Sequence, residues 1–167
     1  MRPETARDIM NRNVITASDK MTVQELADLF TEHSISGAPV VDDDSRLVGV
    51  VSLTDIVRAG AQRDQLSAAG LESKFYLYGW DDALSDDDMR DMPVLVDDGM
   101  LVANVMTPTI FGVPEDISIA EMADTMIRGR IHRLIVMTDD RVAGIVTTLD
   151  MLKAIREHFD IDARAEA

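Results

Sequence analysis

The chain has no cysteine, which excludes disulfide staples and thiolate metal ligands and fits a reducing compartment. Aromatic residues make up only 4% of it, so aliphatic side chains have to fill the core. No apolar run approaches the roughly 18 residues that span a bilayer, and the opening "MRPETARDIM" lacks the apolar stretch of a secretory signal. The expectation is a soluble, cytoplasmic protein. Bases are also scarce: 16 Lys and Arg stand against 31 Asp and Glu, a net charge of −15. Nucleic-acid grooves need clustered Lys and Arg, and anionic lipid repels such a chain, so neither nucleic acid nor membrane is an expected partner. A small polyanion can bind only where a few bases converge. Enzyme signatures are missing too. There is no phosphate-binding Gly-x4-Gly-Lys loop and no Gly-x-Gly-x-x-Gly fingerprint, and His33 and His158 have no metal-ligand spacing. No catalytic residues, no resident metal and no cofactor are assigned.

What is present is a phrase written twice. "GVVSLTDIVRA" at 49–59 and "GIVTTLDMLKA" at 144–154 share Gly, apolar, Val, a hydroxyl residue, Asp, two apolar residues, a base and Ala. Displacing one half by 96 positions pairs Met10 with Met106, Glu25 with Glu121, Asp28 with Asp124 and Ile35 with Ile131. Dropping one residue near Ser45 then pairs Arg46 with Arg141, Gly49 with Gly144 and Asp55 with Asp150. The chain is a duplication.

Each copy reads as β-α-β-β-α. A short strand-like piece lies within "NVITASDKM" or "TIFGVPEDI". "TVQELADLFTEH" and "SIAEMADTMIRG" carry helical apolar spacing behind capping boxes, Thr22 with Glu25 and Ser118 with Glu121. Two β-branched runs follow, each broken by an Asp-rich turn, and a last helix starts after Ser52 or Thr147. The fold class is α/β (α+β), with two repeats packed sheet to sheet about a pseudo-twofold axis. The expected organisation is repeat 1 at 1–60, an acidic and aromatic insert at 61–100, and repeat 2 with a C-terminal helix and tail at 101–167. Phe75, Tyr76, Tyr78 and Trp80 in the insert read as a packing plug or subunit contact.

The phrases "DIMNRNVITASDKMTVQELADLF", "ISGAPVVDDDSRLVGVVSLTDIVRA", "NVMTPTIFGVPEDISIAEMADTM" and "RIHRLIVMTDDRVAGIVTTLDMLKA" resemble a tandem pair of CBS domains, the cystathionine-β-synthase-type repeats together called a Bateman module. The resemblance covers all but the insert and the tail. It implies a regulatory sensor that binds adenosine-containing ligands (AMP, ADP, ATP or S-adenosylmethionine) in clefts between the repeats, associates as a homodimer, acts on an unidentified regulated protein, and is not an enzyme. The other readings are a ligand-free interaction scaffold and a divalent-cation sensor. For the last, Mg²⁺ is the ion suited to the acidic triplets at 42–44 and 86–88.

The same resemblance implies the site residues. Ser52 and Thr147, with free helix-start N–H groups, would meet a phosphate, while Asp55 and Asp150 would accept ribose hydroxyls. The alternative is that hydroxyl-x-x-Asp only caps the helix. Arg130, His132 and Arg133 would reach phosphates, or else complement the end of the preceding helix. Gly37 and Ala38 would leave room for a purine beside Asp55, or form with Pro39 a tight turn into an edge strand. Thr16 would close the same pocket, and its counterpart Gly112 is a departure from the family pattern.

Overall fold

The computed structural model describes residues 4–61, 99–108 and 110–158. The aromatic group at 75–80, the acidic triplet at 86–88 and the C-terminal tail lie outside the described residues. The first repeat comprises α1 (Ala6–Ile9), β1 (Ala17–Ser18), α2 (Val23–His33), β2 (Gly37–Val41), β3 (Leu47–Ser52) and α3 (Leu53–Ala61). The second comprises α4 (Val102–Val105), β4 (Gly112–Pro114), α5 (Ile119–Gly129), β5 (Arg133–Thr138), β6 (Arg141–Thr147) and α6 (Thr148–His158). The expected unit is therefore present twice, each preceded by a four-residue helix. No helix among the described residues is long and apolar enough to cross a membrane.

Both capping boxes form. Thr22 Oγ1 accepts from the Glu25 amide at 3.2 Å, and a Glu25 oxygen accepts from the Thr22 amide at 2.8 Å. Ser118 and Glu121 repeat this at 3.2 and 3.1 Å. The bonds hold the carboxyls of Glu25 and Glu121 below their ordinary range, the Thr22 amide being the main cause at Glu25 and the Ser118 hydroxyl at Glu121. Behind the caps, α2 buries Val23, Leu26 and Phe30, and α5 buries Met122 and Met126. Each such side chain contributes about 1.5–3 kcal/mol by leaving water. Both helices stop at a left-handed residue, Ser34 and Arg130.

Each sheet has three strands, in order β1-β2-β3 and β4-β5-β6, the first pair parallel and the second antiparallel. The turns explain the one-residue slip between the repeats. In the first, Asp42 Oδ1 accepts from the amides of Asp44 and Arg46 at 3.0 and 2.8 Å, and Ser45 is left-handed. In the second, Asp139 and Asp140 are both left-handed, the backbone of a two-residue hairpin. Asp42 is thus a turn organiser, and Asp43 pairs with Lys20.

The leading segment of each repeat lies on the other repeat. Asn11 and Ile145 exchange backbone bonds at 2.9 and 3.0 Å, as do Val50 and Thr107 at 2.9 and 2.8 Å. Bridges join Thr5 to Ser118 and Leu101 to Thr22. Under the repeat alignment each bridge maps onto the other member of its pair, which is the pseudo-twofold axis in hydrogen bonds. The cores show the same exchange: Ala6, Met10, Leu47 and Val50 pack with second-repeat residues, and Val102 packs with Leu26 and Phe30. Gly49 and Gly144 sit at the crossings, each beside a bulge in its strand. A Cβ on Gly49 would stand 2.8 Å from Thr107 O, and one on Gly144 2.6 Å from Met10 Sδ and 3.0 Å from Asn11 O. The repeated glycine is required by this close approach of the other repeat's backbone.

Candidate functional site

The repeated phrase crosses from strand into helix, and at that junction it builds a cap. Asp55 Oδ2 accepts from the Ser52 amide at 2.8 Å and the Ser52 hydroxyl at 2.7 Å. Asp150 Oδ2 does the same with Thr147, at 2.9 and 2.6 Å. The capping alternative raised by the four letters is thus realised in both copies. Each carboxylate keeps a second oxygen. Oδ1 of Asp55 faces Arg58 at 3.5 Å, and Oδ1 of Asp150 faces Lys153 at 3.2 Å.

The surroundings of the two carboxylates differ. The Asp55 side chain is 1% exposed and that of Asp150 is 18% exposed. Asp150 borders a cavity of about 280 Å³ between the repeats, near the lower end of the about 300–1,000 Å³ usual for small-ligand sites. Its walls from the second repeat are Arg133, Ile145, Thr147, Leu149, Asp150 and Lys153. From the first repeat come Asn11, Asn13, Val14 and Ile15, then Ser34, Ile35, Ser36 and Gly37. The exchanged leading segment places the first of these groups, because the Asn11–Ile145 bridge fixes it against β6. Arg133 opens β5 directly opposite Thr147, and burial lowers the pKa of its guanidinium from the ordinary value. A guanidinium stays charged even so. Arg133 and Lys153 thus bring two cations and Asp150 one anion to a cleft whose other walls include Val14, Ile15, Ile35, Ile145 and Leu149.

The expected site residues divide. Asp150, Thr147, Arg133 and Gly37 meet around this cavity, and Gly37 also stands opposite Ser52 across the β2–β3 pair. Ala38 and Pro39 are buried within β2, paired with Val51 and Val50. Ala38 belongs to the first-repeat core, so it leaves no room for a purine. Thr16 is half-buried just before β1 and is not a lining residue of this cavity, although its neighbours Val14 and Ile15 are. Arg130 is exposed and serves as the left-handed cap of α5. His132 is exposed, and its carbonyl accepts from the Thr148 amide and hydroxyl at 3.0 and 3.1 Å. Ser52 and Asp55 are buried. Lys153 was not assigned from sequence, although a base three residues after Asp is part of the repeated phrase. Among the described residues no three His, Asp or Glu side chains gather as a metal ion would need.

A model of the CBS domain matches residues 6–62 and again 102–157, more than half of the chain. The chain belongs to the CBS-domain family and carries the domain as a tandem pair. Hypoxic response protein 1 of Mycobacterium tuberculosis is 30% identical over 154 residues, covering 92% of this chain and 87% of the relative. The crystal structure of Hypoxic Response Protein I with two coordinated zinc ions has a TM-score of 0.63 at 26% identity, covering 89% of this chain and 97% of the other. CBSX2 in complex with AMP has a TM-score of 0.65 at 22% identity, over 94% and 99% of the two chains. The CBS domain pair of MJ0100, in complex with 5′-methylthioadenosine and S-adenosyl-L-methionine, has 0.61 at 24%, over 92% and 97%. At 22% and 24% the likeness is one of fold. Against a 22% identical uncharacterised protein of Methanocaldococcus jannaschii, the alignment covers 91% of this chain and spans 43% of the relative's length.

Proposed function

We propose that this protein is a regulatory module that senses an adenine nucleotide in the cleft at Asp150. The observation that carries the reading is the convergence of Asp150, Arg133 and Lys153 on one apolar-walled cavity between the repeats of a chain with a net charge of −15. In such a ligand, ribose hydroxyls donate to Asp150 Oδ1, the purine lies among Ile15, Ile35, Ile145 and Leu149, and phosphate takes Arg133 and Lys153. Arg suits that last task because its planar fork pairs with phosphate oxygens. Two cations against one carboxylate favour AMP, ADP or ATP over the sulfonium of S-adenosylmethionine. The ligand complexes of CBSX2 and MJ0100 support the adenosine class. Among the described residues no three His, Asp or Glu side chains gather as a metal ion would need, and the two cations at the cleft favour a phosphate-bearing ligand over a metal ion there.

The cleft holds a nucleotide without turning it over, and the response passes to a regulated protein. Heating the protein with AMP, ADP, ATP and S-adenosylmethionine tests the reading, since a ligand of the folded state raises its melting temperature by mass action. The expected result is a rise with the phosphate-bearing ligands that Arg133→Ala diminishes. A flat response to all four contradicts it and favours an interaction scaffold.

A further inference from the structure

Asp150 has fewer free acceptor positions than its place at the cleft suggests. An ionised carboxylate offers about four lone-pair sites, two on each oxygen. On Oδ2 the Thr147 amide and hydroxyl take two, at 2.9 and 2.6 Å. On Oδ1 the Lys153 ammonium takes one, at 3.2 Å. Among the described residues that leaves one site, and a ribose brings two neighbouring hydroxyls to it. Both can donate to Asp150 only if Lys153 lets go. Lys153 is placed to do so. Its side chain is 55% exposed, it stands one turn along α6 from Asp150, and it lines the same cavity. An ion pair this open to water is worth about fivefold in affinity at most. The matching pair in the first repeat is held more tightly, with Arg58 28% exposed against a sealed Asp55.

We infer that Lys153 makes the cleft selective for adenine nucleotides over the corresponding nucleoside: it occupies Asp150 Oδ1 and gives it up only when a phosphate takes the ammonium instead. This rests on the adenine-nucleotide reading above. With AMP the cation moves from carboxylate to phosphate, so Oδ1 is released to both ribose hydroxyls while Lys153 keeps a charged partner. With adenosine the same hydroxyls must displace an ion pair whose cation then faces only water. The nucleoside is therefore passed over, although it carries the same purine and ribose. Arg133 favours phosphate as well, but a cation that acts on phosphate alone leaves adenosine binding as it is. A side chain that guards the carboxylate acts on both ligands, in opposite directions. Removing it must weaken AMP and tighten adenosine.

Calorimetric titration of AMP, and of adenosine in competition with AMP, tests this on the full chain. Wild type, Lys153→Met and Arg58→Met are compared, with circular dichroism confirming that each is folded. Lys153→Met keeps an apolar stem and removes the charge. It should bind AMP about fivefold more weakly and adenosine about threefold more tightly. Arg58→Met should leave both affinities within about twofold of wild type. Salt supplies a second readout. In the wild type, added salt should weaken AMP and tighten adenosine, because it screens Lys153 from both of its partners. The response of adenosine should vanish in Lys153→Met, which an apolar contact made by the new side chain would not reproduce. If adenosine binds Lys153→Met no better than wild type, the selective role of Lys153 is overturned and the nucleotide site stands. A wild type that binds neither ligand removes the nucleotide reading, and this inference with it.

Discussion

Asp55 and Asp150 hold the same place in the repeated phrase and make the same pair of cap bonds, yet one is sealed and the other borders a cavity. Their own helices do not account for this, since each starts with a hydroxyl residue and carries a base three residues after the Asp. Ser34, Ser36 and Gly37 line the cleft at Asp150; of their pseudo-twofold counterparts, Arg130 and His132 are exposed and Arg133 lines that same cleft, so the two carboxylates do not have equivalent surroundings. A duplicated motif guarantees a duplicated helix start. The motif alone does not set how far its carboxylate is exposed.

The comparison is broken most severely at the glycines that let the repeats cross. Gly49→Ala drives a Cβ against a backbone carbonyl and should cost about 3 kcal/mol in urea unfolding. Gly144→Ala should cost less, about 2 kcal/mol, because its nearest neighbour is the flexible Met10 side chain. Equal losses would mean that the Met10 side chain cannot yield.

Next come the caps. Asp55→Ala removes a buried acceptor of two bonds and should destabilise by about 2 kcal/mol, with Asp150→Ala nearer about 1 kcal/mol. Denaturation midpoints check this, and the reverse order would contradict the assignment of Asp55 to structure. The bases sharpen the contrast at smaller scale. Lys153→Ala should weaken a phosphate-bearing nucleotide by about 1 kcal/mol, an effect that shrinks as salt screens it, while Arg58→Ala leaves titrations unchanged.

The smallest effect is one the repeats share. The carboxyls of Glu25 and Glu121 titrate below their ordinary value of 4.5 when folded. A depressed carboxyl stabilises above its unfolded pKa, and the gain is lost as pH falls through the folded one. Glu25→Gln and Glu121→Gln should therefore be slightly less stable than wild type at neutral pH, with the gap closing as pH falls below 4.5 and through the lowered folded values. A gap that persists in acid would remove charge from the explanation.

Much of this was legible in the letters, for reasons that can be named. Helix period, capping boxes and Asp-rich turns are local, and each formed where the spacing put it. Gly49 and Gly144 were readable as points of close approach, although only the fold identified Thr107 and Asn11 as what approaches. The repeat-swapped leading segments were not legible, because bonds such as Asn11 to Ile145 join residues far apart in sequence. That is why Asn13, Val14 and Ile15 went unassigned and why Gly37, opposite Ser52 as expected, was not also placed at Asp150. Ala38 was misplaced for a related reason: small size marks a tight core as readily as a pocket. Lys153 was within reach, since its spacing from Asp150 repeats that of Arg58 from Asp55.

The central claim is that one phrase serves structure at Asp55 and ligand at Asp150. Calorimetric titration of AMP into the wild type, Asp55→Ala and Asp150→Ala, each at a temperature where it is fully folded, tests it most directly. The account predicts that Asp150→Ala loses about 2 kcal/mol of affinity, roughly thirtyfold, while Asp55→Ala stays within about threefold of wild type. Equal losses in the two variants, or wild-type binding by Asp150→Ala, would contradict it.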